Sequence, residues 1–205
     1  MLKLKLKFLE VAAFIFLIFI LLNGCGSDTG GIPPGNQTVL FSDGFQYSFP
    51  GNKWTTSGTI HIDSTEGFPL PSLNTGNGFV TNVGTFSTSQ DLTFSVSYRK
   101  LDTASLYGVN IRMLDNGSQY ILAAIYKDNI RLYIPSQNIN QSFQFYIDTT
   151  YHTFTDKITT DGKNNFYRDN TLFYTDTIPG VQQLSFSLSS PNVAARFDNV
   201  LLTTP

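Results

Sequence analysis

The 205-residue sequence has one cysteine, one tryptophan and two glutamates. A single cysteine excludes an internal disulfide and a zinc site built from several thiolates. Glu66 is the one glutamate beyond residue 10, so a glycosidase site made of two glutamates is excluded as well. Good helix formers are scarce, whereas Ser, Thr, Asn, Gly, Phe and Tyr are abundant. This composition is typical of an all-β protein.

Strong charge of either sign is also lacking. The chain has 13 basic and 15 acidic residues and a formal net charge of −2. Without the first 24 residues, which hold three lysines and Glu10, 10 basic and 14 acidic residues remain, and the net charge becomes −4. The charges are not clustered along the sequence, so the balance argues against a nucleic-acid partner.

The sequence has no apolar run long enough to cross a bilayer as a helix. Residues 11–22 form an uninterrupted apolar run of 12 residues, whereas about 20 are needed. Lysines at positions 3, 5 and 7 precede this run. A basic start followed by a short apolar run is typical of a secretory signal peptide, which is removed from the mature protein.

The run ends in Leu22-Asn23-Gly24-Cys25, which resembles the bacterial lipobox. The resemblance implies that residues 1–24 are a lipoprotein signal peptide and that Cys25 becomes the lipidated amino terminus. Several acyl chains, palmitate among them, would anchor the protein stably to a membrane. The alternative is a plain signal peptide or anchor with an incidental cysteine.

The residues after Cys25 bear on the predicted location. Residues 25–37 begin with this cysteine and continue as GSDTGGIPPGNQ, which predicts a flexible tether before a domain at 38–205. Lipoproteins with an Asp directly after the cysteine are usually retained at the inner membrane, and here that residue is Gly26. The predicted location is therefore the bacterial cell envelope, with the outer membrane favoured over the inner one where both exist.

Short apolar stretches separated by turn residues fill the domain. Residues 92–98 (LTFSVSY) alternate apolar and polar side chains at every position and give the clearest strand. Roughly a dozen strands at regular spacing predict an all-β, two-sheet antiparallel jelly-roll sandwich. Other segments that predict strands or hairpins are 107–114 with 119–126, 130–134, 143–147, 153–159 with 165–167, 171–176, 184–188 and 193–202.

Asn116-Gly117 is the strongest hairpin signal, because both turn positions need positive φ. With this pair as the turn, the expected facing pairs in the core are Met113 with Tyr120, Ile111 with Leu122, and Val109 with Ala124.

Four segments carry recognisable motifs: residues 41–54 (Asp43, Phe45, Trp54), 107–133, 151–170 and 196–200 (RFDNV). In this order and spacing they resemble the concanavalin A-like lectin/glucanase superfamily, including laminin G-like domains, over residues 40–202. Tyr151 stands where the family has Trp, and Asn170 where it has Gly. The resemblance implies a convex and a concave sheet, with glycans bound or cut on the concave face. Laminin G-like modules, in contrast, often bind proteins.

A carbohydrate site needs planar polar groups and aromatic platforms, and we expect both on outward faces of adjacent strands. The alternatives are an ordinary polar sheet face and a core position for the tryptophan. The predicted ligand-binding residues are Trp54, Ser95, Ser97, Arg99, Asn110 and Arg112.

A structural calcium ion, where the first and last strands meet, is a further implication of the resemblance. Asp43 and Asp198 occupy the matching positions and would supply hard oxygen ligands. The alternative is a pair of strand-edge aspartates that bond to backbone amides.

Evidence for catalysis in the sequence is weak. His61, Asp63 and Glu66 form the one local grouping of histidine and carboxylates, which is either an acid/base or metal pair or a solvated strand end. His152 occupies a family position that is mostly structural. The other aspartates sit mainly at predicted turns.

The sequence therefore predicts a membrane-anchored envelope lipoprotein whose sandwich binds a ligand, with carbohydrate or a cell-surface polymer favoured, and does not catalyse a reaction. The first alternative is a glycan hydrolase of the same fold, because residues 107–133 also resemble a family named for hydrolysing keto-disaccharides. The second is an adhesin or structural module that binds protein.

Overall fold

The computed structural model describes residues 37–45, 49–65, 67, 71–101, 108–146, 148–191 and 195–205. The predicted signal peptide, Cys25, all of the predicted tether except its last residue, and Glu66 lie outside these ranges. None of the described segments is a helix that could cross a membrane. The elements are β1 Thr38–Asp43, β2 Trp54–Ser57, β3 His61–Asp63, β4 Ser72–Asn74, β5 Phe79–Asn82, β6 Phe86–Ser87, β7 Leu92–Lys100, β8 Val109–Asp115, β9 Ser118–Ile125, β10 Asn129–Ile134, the 3-10 turn Pro135–Gln137, β11 Ile139–Gln144, β12 His152–Ile158, β13 Lys163–Arg168, β14 Thr171–Thr177, β15 Gln183–Ser189 and β16 Ala195–Thr204.

The strands form two antiparallel sheets, as predicted, and each sheet has eight strands, which together are more than the dozen or so expected in total. Sheet A has the order β14-β13-β12-β7-β16-β4-β3, and β1 also pairs with β16. Sheet B has the order β11-β10-β9-β8-β15-β5-β2, and β6 also pairs with β15. The first and last strands therefore pair with each other, as the family resemblance implies.

The core lies between the sheets and follows the alternation in the sequence. In β7 the buried and half-buried positions alternate without exception over nine residues. Phe186 of sheet B packs against several aromatic rings. Its ring lies 5.0 Å from that of Phe41, 5.7 Å from Trp54 and 4.8 Å from Phe94. Because β1 and β7 belong to sheet A, Phe186 joins the two layers.

The β8–β9 hairpin has the predicted turn but a different register. Asn116 and Gly117 adopt φ of 48° and 79°, as a primed turn requires. Beyond the turn, Met113 pairs with Ile121 because Tyr120 is an extra residue in a β-bulge. The predicted register is therefore wrong from this point, and the 0 %-exposed core positions of β9 are Ile121, Ala123 and Ile125.

The other predicted turns agree with the structure. Asp169 and Asn170 have φ of 49° and 66°, so Asn170 does replace a glycine in the left-handed region. β12 and β13 form the hairpin predicted around Asp161-Gly162. The strand expected at 143–147 lies earlier in the chain. It is β11, which begins at Ile139 and ends at Gln144.

Candidate ligand-binding face

The predicted ligand-binding residues are divided between the two sheets. Ser95, Ser97 and Arg99 lie on β7 of sheet A, whereas Asn110 and Arg112 lie on β8 of sheet B. The two strands were expected to be adjacent. The chain instead crosses from one sheet to the other between them, so these residues cannot form a single site on one face.

Sheet A presents a hydroxyl-rich outer face. Ser95 pairs with Thr155, and Ser97 pairs with Thr153 of the neighbouring strand. Arg99 is held at the end of this face, because its Nε donates to the carbonyl oxygen of Thr149 at 2.5 Å. Its guanidinium also lies 6.0 Å from the centre of the Tyr151 ring.

Trp54 is not available as a platform for a sugar. Its side chain is 3 % exposed, and its ring lies 5.3 Å from Phe41 and 5.7 Å from Phe45. The indole Nε1 donates to Asp43 Oδ2 at 2.8 Å. The alternative reading of Trp54 as a core residue is therefore the correct one.

The outer face of sheet B holds the other two predicted residues at its centre. Arg112 and Asn110 are half-buried, and Arg112 Nη1 donates to Ser189 Oγ at 2.7 Å. Ser187 pairs with Arg112, and Ser189 pairs with Asn110. Both serines point away from the core yet are only 4–5 % exposed. The floor of this face is therefore made of small side chains between longer ones.

Two aromatic side chains flank this floor, and the sequence analysis missed both. Tyr133 is 37 % exposed and Phe79 is 45 % exposed. On one side of Arg112, Tyr133 lies two strands away, with Leu122 on the strand between them. On the other side, Phe79 lies on β5 and pairs with Ser189. Four strand spacings therefore separate the two rings, about 19 Å. Strict alternation in 130–134 places Tyr133 outward and could have identified it.

A cleft of about 280 Å³ continues this face beyond β10. It is lined by residues 126–129, Arg131 and Ser142. Arg131 Nε donates to Asn140 Oδ1 of the neighbouring strand at 2.5 Å. We use "face B" for the outward positions of sheet B that surround Arg112, namely Phe79, Thr81, Asn110, Arg112, Leu122, Ala124, Arg131, Tyr133, Asn140, Ser142, Ser187 and Ser189.

The two aspartates expected to bind calcium act as hydrogen-bond acceptors. Asp43 Oδ1 accepts the Phe45 N–H at 2.6 Å, and its Oδ2 accepts the indole N–H of Trp54. Asp198 is fully buried, and its Oδ1 accepts the Asn199 N–H at 2.7 Å. Calcium needs several oxygen ligands, and no group of three His, Cys, Asp or Glu side chains occurs within the described ranges. These hydrogen bonds to N–H groups match the alternative given above, and the calcium site stays a prediction.

The grouping around His61 does not form an acid/base pair in the part that is described. Asp63 Oδ2 accepts from Arg196 Nη2 at 2.6 Å, and its Oδ1 accepts from the hydroxyl and N–H of Thr65. The hydrogen bonds from Thr65, followed by the charge of Arg196, lower the pKa of Asp63 to about 2. Such a carboxylate fastens β3 to β16 and is a poor proton donor.

Sequence reasoning also missed a charged cluster around His152. Its Nδ1 lies 2.8 Å from Asp169 Oδ2, and its Nε2 lies 3.0 Å from Asp148 Oδ1. Thr150 donates to Asp148 through both its N–H and its hydroxyl, and these bonds lower the pKa of Asp148 to about 2. Because Asp148 and His152 lie at the two ends of the 148–152 segment and Asp169 lies in the β13–β14 turn, the cluster ties these two parts of the chain together.

A cluster of polar side chains lies inside the core. Asp156 is fully buried, and neither of its carboxylate oxygens has a hydrogen-bond partner among the described residues. Burial raises its pKa well above the ordinary value of 3.8. Asn164 Nδ2 donates to the Tyr120 hydroxyl at 2.8 Å across the two sheets, while Asn164 Oδ1 has no donor in the described part of the chain. A cleft of about 110 Å³, lined in part by Tyr120 and Gly162, opens beside this cluster.

No protein-family model and no curated protein sequence matches the chain. Solved structures do resemble it. The globular domain of T. cruzi calreticulin is 12 % identical with a TM-score of 0.62, over 82 % of this chain and 89 % of its own. The cellulose-induced protein Cip1 is 15 % identical with a TM-score of 0.61, over 79 % and 96 %. The carbohydrate recognition domain of Emp47p is 12 % identical with a TM-score of 0.59, over 87 % and 98 %. These likenesses show a lectin-like jelly-roll fold.

Proposed function

We propose that this protein is a membrane-anchored lipoprotein whose β-sandwich binds a carbohydrate on face B without catalysing a reaction. The observation that carries the proposal is the arrangement on this face. Arg112 and Asn110 offer planar hydrogen-bonding groups above a floor of small side chains, and the exposed rings of Tyr133 and Phe79 flank them. The similarity in fold to a carbohydrate recognition domain supports the same reading.

The physical argument rests on what a sugar ring presents. Its hydroxyl groups need fixed donors and acceptors, which the guanidinium and amide side chains supply in a defined plane. Its C–H faces pack on aromatic rings, which bury a large area at a low entropic cost. An extended face about 19 Å long between the two rings suits a chain of several sugars and not a single small molecule.

Glycan binding by the purified protein on a glycan array, with and without calcium, tests the proposal. We expect binding, and we expect Tyr133→Ala and Phe79→Ala each to weaken it roughly tenfold or more, because aromatic residues that pack on a ligand contribute much of the affinity. Tyr146→Ala is the matched control, because Tyr146 is 83 % exposed and is not part of face B. Capture of a protein partner with no glycan bound would replace the proposal by the adhesin alternative.

A hydrolase of this fold is the weaker candidate. Such an enzyme needs one carboxyl group with a raised pKa beside a second carboxylate. Asp148 and Asp169 bracket His152, but hydrogen bonds lower the pKa of Asp148. Asp156 has a raised pKa but lies in the core. Release of reducing ends from a bound glycan would establish the enzyme in place of the binding protein.

Lipidation of Cys25 is the second part of the proposal, and the sequence around it is what supports it. Mass spectrometry of the mature protein should find an amino terminus at Cys25 that carries acyl groups. Cys25→Ala should abolish acylation and move the protein from the detergent phase to the aqueous phase of a partition experiment, because the acyl chains are the anchor. An unmodified chain that begins elsewhere would refute this part and leave the glycan proposal standing.

A further inference from the structure

Face B carries positive charge without an acidic counterpart. Arg112 and Arg131 both point outward, and the outward strand positions of sheet B include no aspartate or glutamate in the part of the chain that the structure describes. Asp128 lies at the β9–β10 turn beside Lys127 at the rim of the adjoining cleft, where its Oδ1 accepts from the Asn129 amide. The face is therefore cationic on a chain whose net charge is −2.

The two arginines are bonded to neutral groups. Arg112 donates to a serine hydroxyl and Arg131 to an asparagine oxygen. A guanidinium has five N–H donors in a fixed fork, and within the described ranges each arginine uses one of them in these bonds, so donors remain for a ligand. Both side chains are also held in place by these bonds, which reduces the entropy lost when a ligand binds.

Two of the arginines on sheet A, in contrast, lie beside carboxylates. Arg196 forms an ion pair with Asp63 at 2.6 Å, and Arg168 lies 3.7 Å from Asp169. Within the described ranges, neither of the two arginines on face B has an acidic side chain in an ion pair with it. Arg112 is moreover half-buried, and burial lowers its pKa. A partly desolvated cation without an anionic neighbour is unfavourable until an anion binds beside it.

The spacing of the charges suits a polymer. Arg112 and Arg131 lie two strands apart and two residues apart along the strands, so their Cα atoms are about 12 Å apart. Tyr133 lies next to Arg131 on the outward side of β10. Two cationic groups and an exposed ring therefore lie on one surface, which suits a chain of charged sugars.

We propose that the ligand of face B is an acidic glycan, whose carboxylate or sulfate groups are bound by Arg112 and Arg131. This inference rests on the proposed function and narrows the substrate class of the same site. Guanidinium groups bind carboxylates and sulfates in the same way, through paired N–H donors. The experiment below decides which of the two groups the glycan carries.

The test uses the purified protein on an array that holds neutral, carboxylated and sulfated glycans. We expect binding to acidic glycans and little binding to neutral ones, and the two acidic sets identify the anion. Arg112→Gln and Arg131→Gln should each weaken binding roughly 10- to 100-fold, as loss of a charge-assisted hydrogen bond does. Lys157→Gln, on the outer face of sheet A, removes the same charge and should leave binding unchanged.

The salt dependence of binding shows whether an arginine variant binds less tightly because it has lost a charge or because it is not folded. The affinity of the unchanged protein should fall as the salt concentration rises from 50 to 500 mM, because salt screens exposed charges, and this fall should be smaller in both arginine variants. Thermal unfolding of each variant shows whether it is folded. Equal binding of neutral and acidic glycans would overturn this inference while the proposed function stands. Binding of no glycan of any class would overturn both.

Discussion

Replacing Phe186 by alanine is expected to lower the free energy of unfolding by about 3–5 kcal/mol, the range found when a buried phenylalanine is truncated. The side chain is fully buried, and its ring contacts aromatic rings from both sheets. The closest are Phe94 at 4.8 Å and Phe41 at 5.0 Å. Rigid neighbours from two layers cannot close the resulting cavity, so the loss should lie near the upper end of this range.

Urea unfolding followed by the fluorescence of Trp54 measures this loss directly, because Trp54 is the single tryptophan and lies 5.7 Å from Phe186. Phe79→Ala is the matched control. Phe79 belongs to β5, the strand that pairs with β15, but its side chain is 45 % exposed, so its truncation should cost less than about 1 kcal/mol. Equal unfolding midpoints for the two variants would contradict the central position of Phe186.

The sequence predicted the fold class because local rules determine most of it. Strict alternation identified β7, and the demand for positive φ identified the turn at Asn116-Gly117. β11 was placed too late, since its side chains are mostly exposed and polar and give no hydrophobic period. An edge strand of this kind is defined by its backbone pairing with β10, which a single sequence does not show.

The register of β9 could not be predicted because its cause is a long-range contact. The extra residue in the bulge is Tyr120, whose hydroxyl accepts a hydrogen bond from Asn164 on the opposite sheet. The turn at Asn116-Gly117 is compatible with pairing either with or without a bulge. The partner 44 residues away therefore favours a register that the hairpin alone does not specify.

The candidate site was predicted in part. The outward positions of Asn110 and Arg112 followed from alternation, and so did those of Ser95 and Ser97. The alternation does not predict to which sheet a strand belongs, because strands of both sheets have one apolar and one polar face. Arg99 was consequently grouped with residues of the other sheet. Pairing of β8 with β15, more than 60 residues later in the chain, is what creates face B.

The buried carboxyl group of Asp156 leads to the second large prediction, which concerns pH. Its pKa is raised in the folded state by burial without a hydrogen-bond partner, so the folded protein binds this proton more tightly than the unfolded chain does. The resulting stability is present below the unfolded pKa of about 3.9. It is lost as the pH rises from there through the raised folded value, by about 1.4 kcal/mol for each pH unit.

Asp156→Asn should remove this dependence, because an amide of the same shape does not ionise. We expect the variant to exceed the unchanged protein in stability at neutral pH, with a difference that increases from pH 4 upward. Urea unfolding of both proteins at a series of pH values from 4 to 9 measures it. Asp63→Asn is the opposite control, since the pKa of Asp63 is lowered to about 2. Asp63 is ionised throughout that range, so its loss should lower stability by a nearly constant amount. If the free energies of unfolding of Asp156→Asn and of the unchanged protein change in parallel with pH, the prediction is contradicted. The Asp156 carboxylate would then be solvated or paired in solution, and the polar cluster that it forms with Tyr120 and Asn164 would contain a further hydrogen-bond donor.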